Sequence, residues 1–172
     1  DPGQQNKPDA WKNLSFDELK EAVHKYTYDV LYRLKIMDCA PDMVQIGNEI
    51  RSGMLFPDGA VPQYRQLAAL VNEGIRAVRE LLPETKVMIH LDQGGRYNCI
   101  MPWFDSMFNA GMLPIDAIGL SFYSFWHGTF MDLKDTMSRL IKLYNLPVYI
   151  VETAHPWRHC KGDHIPKELM ET

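Results

Sequence analysis

The feature that most constrains this chain is a fourfold alternation of helical and strand-like hydrophobic patterns. Each amphipathic stretch is followed by a short apolar run, and these runs lie at residues 43–46, 86–91, 116–122 and 148–151. A parallel connection needs about a dozen residues to return to the same edge of a sheet. Strands that are separated by helices therefore pair in parallel, with right-handed crossovers. The pattern predicts an α/β fold with four parallel strands.

The first helix has a clear start signal. Ser15 and Glu18 have the spacing of a capping box, in which the hydroxyl and the carboxylate each satisfy a backbone amide of the first turn. Apolar residues then recur every three or four positions, and the helix is expected to end before Pro41. Further helices are predicted over residues 63–82, over 103–108 with an end at Gly111, and over 133–144.

The kind of α/β architecture follows from a missing motif and from the length. Doubly wound sheets usually carry a glycine-rich phosphate turn after the first strand, and no GxGxxG or Walker A pattern occurs in these 172 residues. A barrel is therefore favoured. A complete (β/α)8 barrel needs about 250 residues. We expect residues 1–172 to be a fragment of a single (β/α)8 domain, about half of a barrel.

Charge and composition exclude several classes of partner. Lys and Arg number 18 against 22 Asp and Glu, which gives a net charge of −4. No nucleic acid or anionic membrane surface is therefore expected as a partner. The apolar runs are far shorter than the roughly 20 residues that span a bilayer. The three cysteines, Cys39, Cys99 and Cys160, are too few for a disulfide framework and form no C-x-x-C pair.

Polar side chains follow all four predicted strands. In parallel barrels the catalytic groups gather at the carboxyl ends of the strands, where the loops converge. The residues at these ends are Asn48 and Glu49, then His90 and Asp92, then Ser121, Tyr123 and His127, and finally Glu152 and His155. A single glutamate after a strand is more often a helix cap or a solvated charge, but four polar ends on one edge indicate a site.

Glu49 and Glu152 form a pair of the kind that cleaves glycosidic bonds. One carboxyl group must protonate the leaving oxygen while the other attacks the anomeric carbon or activates water. A low-dielectric pocket and a neighbouring anion both favour the protonated form of one member. Aromatic rings, which suit the apolar faces of sugars, lie in or near the same loops, although core packing explains Trp103 and Phe122 equally well. These residues are Trp11, Phe56, Trp103, Phe122, Tyr123, Phe125, Trp126 and Trp157.

Six segments carry a resemblance to a known family. They are DPGQQNKPDAW at residues 1–11, DMVQIGNE at 42–49, SGMLFPDG at 52–59, IHLD at 89–92, SFYSFWHG at 121–128 and VETAHPW at 151–157. In this order the segments resemble glycoside hydrolase family 53, the arabinogalactan endo-β-1,4-galactanases. The resemblance runs through the whole chain.

The resemblance implies a clan A (β/α)8 catalytic domain that cleaves internal β-1,4-galactosidic bonds of type I arabinogalactan with retention. It further implies that residues 1–172 lack the first three strands of the barrel and the eighth. Glu49 would be the acid/base and Glu152 the nucleophile, and Asn48 would hydrogen-bond the sugar 2-hydroxyl. The remaining expected substrate contacts are Asp92, Tyr123, Trp126, His127 and Trp157, with Tyr123 orienting Glu152.

The resemblance further implies no catalytic cofactor, a structural calcium only in the full-length protein, and a monomer when full length. It implies a secreted, periplasmic or cell-surface enzyme, because polymeric pectin cannot enter a cell. Two positions depart from the family pattern: Phe56 stands where Trp is expected, and His155 where Tyr is more usual. Open sheet edges would be exposed in a four-stranded fragment. We therefore expect the isolated fragment to be inactive.

Three alternatives remain at this point. Six histidines together with Asp92, Asp163 and Glu152 suggest a metal-dependent barrel hydrolase, but the sequence has no H-x-H or HExxH pair. The second alternative is a non-catalytic sugar-binding protein. The presence of both Glu49 and Glu152 counts against it, because binding alone needs neither glutamate. Another clan A endo-glycanase, acting on mannan or xylan, is the nearest alternative among enzymes.

Overall fold

The computed structural model describes residues 3–155. Within this range, two 3-10 turns, Asp9–Trp11 and Ile50–Ser52, accompany five helices and six strands. The helices are α1 (Phe16–Ile36), α2 (Tyr64–Leu81), α3 (Tyr97–Asn109), α4 (Ser124–His127) and α5 (Phe130–Tyr144). The strands are β1 (Met43–Ile46), β2 (Gly53–Met54), β3 (Gly59–Ala60), β4 (Lys86–Leu91), β5 (Ala117–Phe122) and β6 (Val148–Thr153).

Four of the strands form one parallel sheet in the order β1-β4-β5-β6. Each pair of neighbours is joined by a helix, because parallel strands need such a crossover. The predicted α/β class and the four predicted parallel strands are therefore confirmed. The remaining two strands, β2 and β3, form a short antiparallel hairpin in the loop after β1.

A β-bulge in β6 decides which way Glu152 faces. Leu120 of β5 pairs with Ile150, but the next residue, Ser121, pairs with Glu152, so that Val151 is extra. Side chains alternate between the faces of a strand, and one inserted residue switches the positions that follow it to the other face. The bulge therefore places Glu152 on the same face as Ser121 and opposite to Ile150.

The helices cover one face of the sheet with a continuous apolar core. Helices α2 and α3 contribute the largest share, and α5 adds Leu140. All six residues of β5 and five of the six residues of β4 are buried. A smaller cluster of Leu19, Val23 and Leu70 joins α1 to α2. The opposite face carries the polar residues of the strand ends, so the core fixes the strands that present the site.

Local signals explain most helix boundaries. The capping box at Ser15 and Glu18 is confirmed, and α1 begins at Phe16. A second capping box joins Thr129 and Asp132 at the start of α5, which is therefore three residues longer at this end than predicted. Helix α3 also begins earlier, at Tyr97, because its first turn precedes the apolar stripe. The hairpin and α4 were not predicted, since elements of two to four residues carry no periodicity.

The two outer strands differ from the central ones. Tyr149 and Val151 of β6 are 43% and 40% exposed, and β1 has a single buried residue, Ile46. Beside β1, an apolar groove of about 590 Å³ runs along α1 and includes Tyr26 and Val30. None of the helices described between residues 3 and 155 is long and apolar enough to cross a bilayer.

Candidate active site

A cleft of about 630 Å³ opens at the carboxyl ends of the parallel strands. Its walls come from residues that follow β1, β4 and β5 and from the end of β6, as the barrel-like topology requires. Most of the residues that the sequence predicted for the site lie here. The lining comprises Glu49, Asp92, Gln93, Tyr123, Phe125, Trp126, His127, Glu152 and Ala154.

Glu49 is held in an unusual backbone conformation directly after β1. Its φ and ψ are 51° and 45°, in the left-handed region, which costs a residue with a side chain about 1 kcal/mol. The turn starts at Gly47, whose φ is 78° and whose missing Cβ would lie 2.6 Å from Ile50. Glu49 is 8% exposed, and its Oε1 lies 2.7 Å from the hydroxyl of Ser121. Such strain at a buried carboxyl group is typical of a functional position.

Glu152 faces Glu49 across the cleft. The nearest carboxylate oxygens of Glu49 and Glu152 lie within 4.8 Å of each other. The hydroxyl of Tyr123 donates a hydrogen bond of 2.9 Å to Glu152 Oε1. Burial in the first place, and then the hydrogen bond to Glu152, raise the pKa of Tyr123 to about 12. Tyr123 therefore remains a hydrogen-bond donor throughout the neutral pH range.

A chain of hydrogen bonds connects Glu49 to the side chains of β1 and β4. Ser121 Oγ lies 2.8 Å from His90 Nε2, and His90 Nδ1 lies 3.1 Å from Asn48 Oδ1. The same Asn48 oxygen accepts a hydrogen bond from Gln45 Nε2. His90 is 1% exposed, and burial lowers its pKa, against the opposing effects of Glu152, Glu49 and Asp92. The imidazole is therefore kept neutral at neutral pH.

Asp92 is paired with a residue that the sequence analysis did not identify. Arg51 Nε and an outer guanidinium nitrogen donate to the two carboxylate oxygens of Asp92, at 2.9 and 3.1 Å. Asp92 is 2% exposed, so this bidentate pair compensates a buried charge. The carboxylate lines the cleft, but its most evident partner is Arg51. No periodicity or motif points to Arg51, which lies in a 3-10 turn two residues after Glu49.

The aromatic residues divide into cleft and core positions. Trp126 is 51% exposed and contacts Phe125 edge-on, with 4.6 Å between ring centroids. His127, in contrast, is 4% exposed, and its Nδ1 lies 3.0 Å from the carbonyl oxygen of Ser121 and 3.2 Å from the backbone nitrogen of Tyr123. Burial lowers the pKa of His127.

The other aromatic candidates lie elsewhere. Trp103 and Phe122 are buried among apolar residues, and Trp11 packs edge-on against Tyr26 beside α1. Phe56, one of the two departures from the family pattern, donates its backbone N–H to the carbonyl oxygen of Gln5. Trp157 lies outside the described residues.

The donor set at the cleft does not fit a metal ion. Glu49, His90 and Glu152 bring potential ligand atoms within 4.8 Å of one another. Both ring nitrogens of His90 are, however, engaged by Asn48 and Ser121. A histidine ligand needs a free nitrogen lone pair that points at the metal. The arrangement therefore favours chemistry by the two carboxyl groups over the metal-dependent alternative.

His90 and Ser121 are predicted from the sequence as strand ends without a role, and Gln45 is not predicted as a site residue. A usable signal was present for the first two. Each is a polar residue within an otherwise apolar buried strand, and a buried polar side chain normally has a hydrogen-bond partner. Gln45 carries no such signal, because it lies on an outer strand where polar residues are common.

Comparison with known proteins agrees with the geometry. A family model described as glycosyl hydrolase family 53 matches residues 1–172. An uncharacterized protein in the bgaB 5' region of Niallia circulans is 46% identical and covers 91% of this chain and 45% of its own. Arabinogalactan endo-β-1,4-galactanase A of Emericella nidulans is 34% identical, over 91% of this chain and 47% of its own.

A solved structure, the GH53 catalytic domain of Ignisphaera aggregans, superposes with a TM-score of 0.89 at 38% identity, over 99% of this chain and 47% of that one. The chain thus spans about half the length of the curated relatives it matches, as four strands of an eight-stranded barrel would. The family match over the entire sequence and the close superposition lead to one conclusion: the chain belongs to glycosyl hydrolase family 53.

Proposed function

We propose that the chain is part of the catalytic domain of an endo-acting glycoside hydrolase that cleaves β-1,4-galactosidic bonds with retention of configuration. The observation that carries the proposal is the distance of at most 4.8 Å between the oxygens of Glu49 and Glu152. Retaining enzymes hold their carboxyl groups about 5–5.5 Å apart, whereas inverting enzymes need about 6.5–9.5 Å to admit a water. The short distance supports a double displacement.

In the first step, a Glu152 oxygen bonds to the anomeric carbon while the bond from that carbon to the glycosidic oxygen breaks. Glu49 gives its proton to the departing oxygen, and a glycosyl ester of Glu152 forms. In the second step, Glu49 accepts a proton from a water molecule whose oxygen attacks the anomeric carbon. The ester bond breaks and Glu152 is regenerated as a carboxylate. The two carboxyl groups suffice for this chemistry, and we propose no cofactor.

The neighbouring residues have separate tasks in this scheme. Tyr123 donates to Glu152 Oε1 and stabilises the carboxylate as it is released from the ester. Asn48 is exposed, and no described hydrogen bond uses its Nδ2, so this group is free to donate to the sugar 2-hydroxyl. Trp126 offers an exposed ring for a sugar face. Asp92 and His127 line the cleft. We also propose Trp157 as a substrate contact, on the family resemblance alone.

The substrate class is proposed from the relatives. The Emericella nidulans relative bears the name of an arabinogalactan endo-β-1,4-galactanase, and the six sequence segments agree with that specificity. We therefore propose galactan side chains of pectin as the substrate and a monomeric, secreted enzyme, because the polymer is too large to enter a cell.

The direct test is hydrolysis of a polysaccharide panel by the complete protein. Potato galactan should be cut to short oligosaccharides, while mannan and xylan remain intact, and the first product should be the β-anomer by NMR. A Glu84→Ala variant, which removes an exposed glutamate at the opposite end of β4, is the control and should retain full activity. Cleavage of xylan or mannan in place of galactan would contradict the substrate, and an α-anomer would contradict the mechanism.

The outer surfaces of the sheet give a further expectation. Among residues 3–155, no strand pairs with the outer sides of β1 and β6, and the groove beside α1 is open. A polypeptide of these 172 residues would expose these surfaces. It should not hydrolyse galactan, and it should associate through these surfaces, as measured by reducing-sugar assay and light scattering. A monomeric, active 172-residue polypeptide would refute this expectation.

A further inference from the structure

The orientation of one amide determines the direction of the hydrogen bonds around the site. Gln45 Nε2 donates to the backbone carbonyl of Gly47 at 2.9 Å and to Asn48 Oδ1 at 3.1 Å. A carbonyl oxygen only accepts, so Gln45 must present its nitrogen here, and Asn48 must present its oxygen. That oxygen also lies 3.1 Å from His90 Nδ1. Nδ1 of His90 therefore carries a hydrogen and donates it.

The second nitrogen of His90 determines the direction of the hydrogen bond between Ser121 and Glu49. A neutral imidazole with its hydrogen on Nδ1 has a lone pair on Nε2. This nitrogen lies 2.8 Å from Ser121 Oγ and accepts the single hydroxyl hydrogen. Ser121 Oγ then has only lone pairs to offer to Glu49 Oε1, at 2.7 Å. Two oxygens at this distance with no hydrogen between them would repel, so the hydrogen of this contact comes from the carboxyl group of Glu49.

We propose that Gln45, His90 and Ser121 are positioning residues that keep one proton on Glu49 Oε1, and so set Glu49 as an acid before substrate binds. This inference rests on the proposed function. In the first step Glu49 loses this proton to the glycosidic oxygen, and the Ser121 hydroxyl rotates to donate to the new carboxylate. Water returns a proton to Glu49 in the second step, and the hydroxyl turns back to His90. The hydroxyl thus has two positions, one for each half of the reaction.

The charges around His90 allow one competing arrangement. Glu49, Glu152 and Asp92 all face the imidazole and favour its charged form, although Arg51 neutralises Asp92. If His90 were an imidazolium, both nitrogens would donate, Ser121 would donate to Glu49, and Glu49 would be a carboxylate. Both arrangements hold one proton between Glu49 and His90. Burial of His90 favours the arrangement with the proton on Glu49.

The other titratable groups near Glu49 are Tyr123 and His127. Tyr123 stays protonated in the neutral range, and burial favours the neutral form of His127.

Nitrogen NMR of the histidines in the complete protein distinguishes the two arrangements without substrate. With ¹⁵N-labelled histidine at pH 7, His90 should appear as the neutral form with hydrogen on Nδ1, assigned by loss of its signals in a His90→Leu variant. An imidazolium, or a neutral ring with hydrogen on Nε2, would overturn the proposal. Because this measurement needs no catalysis, it tests the protonation of His90 separately from the proposed function. The NMR result can contradict this inference while galactan is hydrolysed, and it can agree with this inference while galactan is not hydrolysed.

A double-mutant cycle on the pH profile provides the second test. Ser121→Ala removes the acceptor of the Glu49 proton. It also removes the donor to the Glu49 carboxylate, but in the wild type that donation costs the hydrogen bond between Ser121 and His90, so loss of the acceptor dominates. The alkaline limb of kcat/KM should therefore move to lower pH by about one unit. In the His90→Leu background the hydroxyl is free to donate to the Glu49 carboxylate. There, Ser121→Ala should move the limb to higher pH by a similar amount.

Ser106→Ala, which removes a hydroxyl from α3 remote from the cleft, is the control and should move the limb in neither background. The proposal requires that Ser121→Ala shift the alkaline limb in opposite directions in the wild-type and His90→Leu backgrounds. A general loss of packing would not produce this reversal. A shift in the same direction in both would overturn the proposal. If the His90→Leu enzyme is too weakly active for a pH profile, the protonation state of His90 in the wild type, measured by nitrogen NMR, decides between the two arrangements.

Discussion

The two glutamates of the cleft are held in opposite ways. Glu49 follows a strand in a strained turn, is almost fully buried, and contacts a network that reaches back through Ser121 and His90 to β1. Glu152 belongs to an outer strand, is only partly buried, and accepts a hydrogen bond from the hydroxyl of Tyr123. The proposed acid/base is surrounded by groups that would control a proton, whereas the proposed nucleophile has a donor that would stabilise negative charge.

This difference matches the chemistry proposed for each group. An acid/base must change its protonation state twice in each cycle, so the direction of every nearby hydrogen bond matters. A nucleophile must stay ionised and reach the anomeric carbon, so one strong donor and access from the cleft are enough. The comparison can be tested by removing each side separately.

The largest effect is expected from the nucleophile. Glu152→Ala in the complete protein removes the group that bonds to the sugar, and kcat on galactan should fall by about 10⁶-fold, as when a nucleophile is lost from another covalent hydrolase. Reducing-sugar assays over long incubations measure this loss. Rates equal to those of Glu84→Ala would end the assignment of Glu152.

Removal of the acid/base should cost less and depend on the leaving group. Glu49→Gln preserves the shape but cannot donate a proton, so kcat on galactan should fall by about 10²–10⁴-fold. A dinitrophenyl galactoside has a leaving group that needs no proton, so its glycosylation rate should fall far less. Equal losses on both substrates, measured by burst kinetics, would mean that Glu49 is not the proton donor.

The hydrogen bond to Glu152 should have a smaller effect on the rate. Tyr123→Phe removes one donor to a charged group, and kcat should fall by about 10–100-fold with the fold unchanged. Tyr149→Phe, which alters an exposed tyrosine of the same strand as Glu152, is the matched control and should have no effect. Comparable losses in the two variants would contradict the role of Tyr123.

The smallest effect concerns stability on the Glu49 side of the cleft. Arg51→Ala leaves Asp92 buried without its partner, and the free energy of unfolding should fall by about 2 kcal/mol, less than for a fully buried pair because Arg51 is 34% exposed. Lys25→Ala breaks an exposed pair with Asp29 and should cost about 0.5 kcal/mol or less. Urea unfolding of the complete protein measures both losses. Equal losses of unfolding free energy would show that the buried pair stabilises the fold no more than the exposed pair.

Particular residues show how far prediction from the sequence reaches. The capping box at Ser15 and the four parallel strands follow from local patterns, and both are confirmed. The position of Glu49 at the end of its strand could likewise be predicted. The predicted last strand ended at residue 151, but β6 continues to Thr153, so Glu152 lies within the strand and its direction depends on the bulge. No local sequence pattern predicts that bulge.

Other features of the site depend on contacts between distant parts of the chain. Ser121 and Glu49 are 72 positions apart, and Arg51 and Asp92 are 41 apart. Whether such groups meet depends on strand register and on loop conformation, which are settled only when the sheet forms. For this reason Asp92 was expected as a sugar contact, and its pairing with Arg51 was not anticipated.

The sequence by itself determined the α/β alternation, the order of the elements and the polar residues at each strand end, because hydrophobic period and capping act over a few neighbouring residues. Only the tertiary structure decided which of these residues face one another, which charges are paired, and in which direction the hydrogen bonds around Glu49 run. The physical reason is that a one-residue change of register reverses the face of a side chain, and a proton's position depends on every partner in its network.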